Sequence, residues 1–190
     1  MYINQKLGEL HIKIVYYGPA RSGKTTNLQF IHGHINPKSR GELVSLKTRE
    51  DRTIFFDFMQ LELGKINGLK PKFSLYTVPG QVYYEASRKL VLQGSDGVVF
   101  VADSQRDRLS ANISDLKALE QYLMQLGTPI DSFPCVIQFN KQDLPDVIKP
   151  DDLKTQMNIN GVPCMGSSAI KGHGVFDTLK TIINLVVRQL

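Results

Sequence analysis

The stretch VYYGPARSGKTTNL, Val15 to Leu28, begins in strand-forming residues and ends in a plausible helix, with two glycines, a lysine and two threonines between. Gly18, Gly23, Lys24 and Thr25 satisfy the pattern G-x-x-x-x-G-K-[ST], directly after an expected strand and directly before an expected helix. Glycines let the backbone turn so that several N–H groups converge on phosphate oxygens, and the helix N-terminus adds the positive end of its dipole. In this pattern Lys24 reaches the β and γ phosphates, the Thr25 hydroxyl binds Mg²⁺, and Ala20, Arg21, Ser22 and Thr26 complete the phosphate-binding loop.

Outward from that junction, apolar runs alternate with helix-period stretches nearly to the end of the chain. The first strand is read as Leu10 to Tyr17 and the first helix as Lys24 to Ile35, followed by a polar loop containing NPKSRGE. TIFFDFMQLEL and KPKFSLYTV, joined by GKING, read as a hairpin. GVVFVAD, CVIQFN and GVPCMGS are further strands, with helices expected from about Asp107 to Leu126 and from about Pro150. The last helix is expected to carry Phe176, Leu179, Ile182, Val186 and Leu190 along one face. This pattern predicts an α/β fold: a mostly parallel six-stranded sheet with one antiparallel edge strand and helices on both faces, in one domain over residues 1–190. Ligands of such sheets bind at the carboxyl ends of the strands.

Composition narrows the function classes. The 190 residues are 42% hydrophobic and 22% charged, as expected of one globular domain with a substantial core. The net charge of +5 comes from Lys and Arg scattered among acids, without a basic block, so a phosphate ligand on a solvated surface is expected rather than nucleic acid. Cys135 and Cys164 both sit in apolar stretches and read as buried thiols in a reducing cytoplasm. No apolar run is long enough to span a bilayer, and neither terminus carries a lipidation signal, so an intrinsic membrane anchor is not expected.

The choice of nucleotide rests on a second site. FNKQD closes one strand with Asn140, Lys141 and Asp143, and SSA closes the next with Ser168 and Ala169. A carboxylate accepts from both N1–H and the exocyclic amine of guanine, whereas adenine has no such donor pair and would leave a desolvated charge unsatisfied. The pair of sites therefore predicts GTP and GDP as ligands and disfavours an ATP-using kinase or ATPase.

These residues resemble the small Ras-like GTPases, a P-loop NTPase fold, across almost the whole chain. Within that superfamily KIVYYGPARSGKTTNL, DRTIFFDF, LYTVPGQVYYEASRKLVL, DGVVFVADSQ, IQFNKQDLP and GVFDTLK are similar to the bacterial mutual-gliding-motility (MglA) class. The resemblance implies a Mg²⁺-dependent GTP-hydrolysing switch of cell polarity and motility, with loops around Ser39–Thr53 and Pro79–Arg88 that rearrange with the γ phosphate. Implied partners are a roadblock-fold GTPase-activating protein (MglB-like), an exchange factor and effectors, and recruitment to cell poles. A nucleotide-gated binding module with negligible turnover is the competing expectation.

The resemblance also assigns roles around the γ phosphate. Gly80 offers a backbone N–H, and Gln81 stands where the side chain orients the attacking water. Arg52 is implied as an arginine finger supplied in cis, although on the residues alone it reads as a loop arginine paired with Asp51 or Glu50. Thr53 is the implied switch threonine near Mg²⁺. Thr77 stands where the wider superfamily has an aspartate, and the MglA class shares this threonine. Asp57, an acid within FFDFM, is either a compensating carboxylate for the cation or an outward-facing strand residue. Asp143→Asn is expected to weaken GTP binding and shift preference toward xanthine nucleotide, because an amide donates where a carboxylate only accepts. Competition binding checks this, and ATP competing with GTP at comparable affinity in the unmodified protein would refute the guanine assignment.

Overall fold

The computed structural model describes residues 1–47, 53–80 and 85–190, with backbone alone for 46, 47 and 53–55. Its centre is β2 (Glu9–Tyr17), which pairs in parallel with β5 (Lys70–Thr77) on one side and β6 (Gly97–Asp103) on the other. β6 and β7 (Cys135–Asn140) are buried at every position, as apolar parallel strands are when helices cover both faces. β4 (Thr53–Glu62) returns antiparallel to β5, and β8 (Cys164–Gly166) extends the parallel run beyond β7.

Among the described residues the six expected strands all form, and two short ones are added. β1 (Tyr2–Asn4) pairs antiparallel with the start of β2, and β3 (Val44–Lys47) pairs antiparallel with β4 inside the expected polar loop. The path across the sheet is β3-β4-β5-β2-β6-β7-β8, with β1 beside β2 off this path. Strands of three or four residues offer too few positions for a period of two to stand out. The chain crosses from β5 back over β2 to β6, so the order reverses at β2. The crevice for a ligand therefore opens beyond Tyr17, where Gly18 follows.

Alternation along β2 divides the core. Leu10, Ile12, Ile14 and Tyr16 pack with Leu28 and Ile31 of α1 (Lys24–His34) and with Leu179 and Ile182 of α5 (Val175–Val187). Val15 and Tyr17 pack on the other face with Val91 of α2 (Glu85–Leu92) and Leu116 and Leu119 of α3 (Leu109–Gln125). α4 (Pro150–Gln156) starts at its proline, as expected. α2 begins within the second expected loop, so that loop ends in helix at Glu85.

The stripe of α5 differs from expectation. Val175, Leu179, Ile182 and Val186 are buried, whereas Phe176 is 39% and Leu190 50% exposed. Phe176 lies about 100° around the helix from Val175, and its ring meets Phe30 edge-on instead, while Leu190 falls beyond the helix end. Both cysteines are free thiols, and burial pushes Cys135 up to about 12. No helix among the described residues is long and apolar enough to cross a membrane.

α2 is fastened to α3 by an ion pair and to β2 by a cation–π contact. Arg88 Nη2 donates to Asp115 Oδ2 at 2.5 Å, and the guanidinium lies 4.3 Å from the centre of the Tyr17 ring, with the arginine side chain only 4% exposed. Removing one partner of such a pair leaves a buried charge uncompensated. Asp115→Ala is accordingly expected to lower the unfolding free energy by ~3–5 kcal/mol, while Arg88→Met combined with Asp115→Leu recovers most of the loss. Denaturant titration of the three proteins checks the difference.

Candidate functional site

The loop between β2 and α1 is built on two backbone positions that exclude a side chain. Gly18 has φ 136°, and a Cβ there would lie 2.3 Å from the Val101 carbonyl oxygen. Gly23 caps α1 in the left-handed region at φ 102°, where a Cβ would fall 2.1 Å from Asn140 Nδ2. Arg21 adopts φ 63° and is exposed, Ser22 is buried, and Thr26 is half-buried in the first turn of α1.

Lys24 is 6% exposed, and its Nζ donates to the carbonyls of Gly18 at 2.8 Å and Pro19 at 2.7 Å. Burial, and secondarily the Arg88 charge, push its pKa down to about 7. Gly80 presses on the same place: a Cβ on it would sit 2.4 Å from Ala20 Cα and 2.9 Å from Lys24 Nζ. Gly80, three residues beyond the end of β5, thus reaches the loop between β2 and α1 with no room for a side chain between them.

Beside this lies a cluster of hard oxygen donors. Asp57 is fully buried and faces inward, which answers the alternative of an outward-facing strand residue. Its Oδ2 accepts from Thr25 Oγ1 at 2.5 Å and from Thr77 Oγ1 at 2.8 Å, and its Oδ1 accepts from the Ser45 hydroxyl. The Asp57 N–H in turn donates to Thr77 Oγ1 at 2.8 Å, so the threonine fixes both backbone and carboxylate of the aspartate. One carboxylate with neighbouring hydroxyls suits Mg²⁺, which takes one or two carboxylates and completes its shell from water and phosphate. No group of three or more His, Cys, Asp or Glu side chains placed to hold a metal ion occurs among the described residues.

The residues expected at the base converge at the carboxyl ends of β7 and β8. Asn140 donates from Nδ2 to the Ser22 carbonyl at 2.7 Å and accepts at Oδ1 from the Ala169 N–H at 2.8 Å, tying the two loops together. Lys141, at φ 72°, donates from Nζ to Asp103 Oδ2 at 2.6 Å. Asp143 and Ser168 line one depression of about 390 Å³ with Lys171 and His173. The Ser168 hydroxyl holds the Asp143 carboxyl below the usual range, so an accepting carboxylate is the resting form at neutral pH.

Arg52 and Gln81 lie outside the described residues, and of Thr53 only the backbone, opening β4, is described. Ser45, Asp103 and Arg108 belong to the site's surroundings although no motif marks them. A polar residue amid an apolar run was the one available signal, and Asp103, which ends GVVFVAD, carries it.

Residues 1–186 match the ADP-ribosylation factor family. The chain belongs to that family. It is 49% identical over 189 residues to mutual gliding-motility protein MglA of Myxococcus xanthus (strain DK1622), covering 100% of this chain and 97% of that protein. It is also 24% identical over 184 residues to ADP-ribosylation factor-like protein 1 of Saccharomyces cerevisiae (94% and 89% covered). With ADP-ribosylation factor-like protein 6 of Caenorhabditis elegans it shares 27% identity over 158 residues (81% and 73% covered). The fold is that of a small GTPase, a family that uses guanine nucleotide and hydrolyses GTP. The oxygen cluster generates a test of its own. If Asp57 supports the cation, Asp57→Asn is expected to raise the Mg²⁺ concentration needed for tight GTP binding by roughly tenfold or more, since a carboxylate donor is replaced by a neutral amide. Nucleotide retention across a Mg²⁺ titration measures it, and an unchanged midpoint would dismiss Asp57 as the supporting acid.

Proposed function

We propose that this protein is a Mg²⁺-dependent GTP-driven switch of cell polarity and motility, slow to hydrolyse GTP alone and accelerated by a roadblock-fold partner. The likeness to MglA supports the cellular role and the partner. The observation that carries the mechanism is the meeting of Gly80, Ala20 and Lys24 Nζ at one point, because a residue following β5 that lies against the phosphate loop must respond to what the loop holds.

In this reading Gly18, Ala20, Arg21, Ser22, Gly23, Lys24, Thr25 and Thr26 hold the phosphates, with the loop N–H groups and the α1 N-terminus supplying positive potential. Lys24 comes to the phosphates with its charge weakened by burial. An anion beside it restores the ammonium form, so its full charge is expressed only when the ligand is present. Mg²⁺ supplies neutralisation of the phosphate oxygens, and Thr25, Asp57, Thr77 and Thr53 are the residues that would hold it. Asn140, Lys141, Asp143, Ser168 and Ala169 bind guanine, the Asp143 carboxylate accepting from its N1–H and amine.

Gly80 donates its N–H to the γ phosphate, Gln81 orients the attacking water, and Arg52 places a cation against charge that spreads over the γ oxygens. Ala20 stands where small GTPases of this kind usually have glycine, close to the groups that must surround the transferring phosphoryl group. A methyl group there leaves binding intact but displaces the catalytic arrangement, and a shift near 1 Å can cost on the order of a hundredfold in rate. Single-turnover hydrolysis with and without the partner tests this. Ala20→Gly is expected to speed stimulated hydrolysis, while Arg52→Ala or Gln81→Ala lowers it by roughly a thousandfold with little change in nucleotide affinity. Brisk unassisted hydrolysis indifferent to all three substitutions would refute the catalytic assignment. Negligible turnover even with the partner would favour a nucleotide-gated binding module.

A further inference from the structure

A chain of charges joins the phosphate loop to the base-side loop, and no role described above accounts for it. Arg108, in the 3₁₀ turn Arg106–Arg108 ahead of α3, donates from Nη2 to the Ala20 carbonyl oxygen at 2.8 Å. Its Nε lies 3.8 Å from Asp103 Oδ2, the same oxygen that accepts from Lys141 Nζ at 2.6 Å. Asp103 is held from several sides. Its backbone N–H donates to Asn112 Oδ1 at 2.9 Å, its carbonyl accepts from Asn112 Nδ2 at 2.8 Å, and its Oδ1 accepts from the Gln105 N–H at 3.2 Å.

An ion pair at 3.8 Å on a partly exposed arginine is by itself worth little. The geometry here adds two things. The carboxylate is 1% exposed, so the two cations beside it sit against a desolvated anion. The peptide unit is planar and trans, so fixing the Ala20 oxygen also fixes the direction of the Arg21 N–H, which points the opposite way. Arg21 is the one non-glycine residue of the loop at positive φ, where the orientation of the preceding peptide has the least support from ordinary backbone preference.

We propose that Arg108 is a positioning residue: the bridge Ala20–Arg108–Asp103–Lys141 locks the phosphate loop to the base-side loop and sets how long a guanine nucleotide stays bound. The inference rests on the guanine-nucleotide reading of the site. Breaking the bridge leaves the loops joined through the neutral Asn140 hydrogen bonds to Ser22 and Ala169 but without the charged tie, so they open more readily and dissociation is faster.

The test is displacement of a fluorescent N-methylanthraniloyl GDP by excess unlabelled GDP in the full chain with Mg²⁺ present. Arg108→Ala is expected to speed dissociation by about five- to tenfold, with Arg108→Lys intermediate, because a single ammonium keeps the charge but cannot serve both oxygens with a planar fork. Arg108→Ala and Lys141→Ala act through one carboxylate, so the rate change of the double variant should fall clearly short of the product of the single changes. A merely structural role would lower the thermal midpoint at saturating GDP without this coupling. Should Arg108→Ala not fold, Arg108→Gln, which keeps an amide donor but no charge, is read by the same criteria. Unchanged dissociation in the folded variants, or rate changes that multiply independently, would overturn the inference. Failure of the unmodified protein to retain the labelled GDP would instead overturn the guanine reading.

Discussion

A lysine side chain buried against its own backbone is the constraint around which the site is organised. Lys24 Nζ is held by the Gly18 and Pro19 carbonyls, and burial, with the Arg88 charge second, brings its pKa down to about 7. Those carbonyls can point inward only because the chain turns through the left-handed conformations of Arg21 and Gly23 before entering α1. The turn in turn needs the backbone of Gly18 pressed on Val101 in β6. One strained loop therefore depends on the sheet beneath it, and the reversal of strand order at β2 gives that loop an open crevice.

The placement of negative charge follows the same logic. The strand leading to Gly80 ends in a neutral Thr77, and the acid stands across the ladder on β4 as Asp57. Reciprocal hydrogen bonds between the two residues fix the carboxylate toward Thr25, so the neutral side chain positions the charged one. The carboxylate thus rides on the strand that begins at Thr53 and pairs with β3, and any sliding of β4 against β5 moves the charge as well. This couples the edge of the sheet to the site more directly than an acid on β5 would.

Neutral hydrogen bonds tie the loops at the carboxyl ends of the strands, and the elements beneath them, to one another. Asn140 joins them through neutral hydrogen bonds to Ser22 and Ala169. Deeper in the core, Gln138 joins Asn27 of α1 to Thr178 of α5 through a fully buried amide network, in which each partner satisfies the other. α1 is thereby referenced to β7, the strand that ends in Asn140.

The sequence by itself marked the glycine-rich loop before α1, the run Asn140–Asp143 and the alternation of strands and helices. Each is local: the glycines, Lys24 and Thr25 lie within eight consecutive positions, and Asn140, Lys141 and Asp143 within four. Continuous apolar runs such as GVVFVAD mark strands covered on both faces because no polar face remains to be exposed. Only the tertiary structure decided that Asp57 faces inward, that Ser45 joins it, that Phe176 leaves the buried stripe of α5, and that Arg108 reaches Ala20. These contacts join residues 12 and 88 positions apart, as in Ser45–Asp57 and Arg108–Ala20. A hydrogen bond across such a span leaves no periodicity in the chain, because its geometry is set by how strands register and helices seat, not by the identity of neighbouring residues.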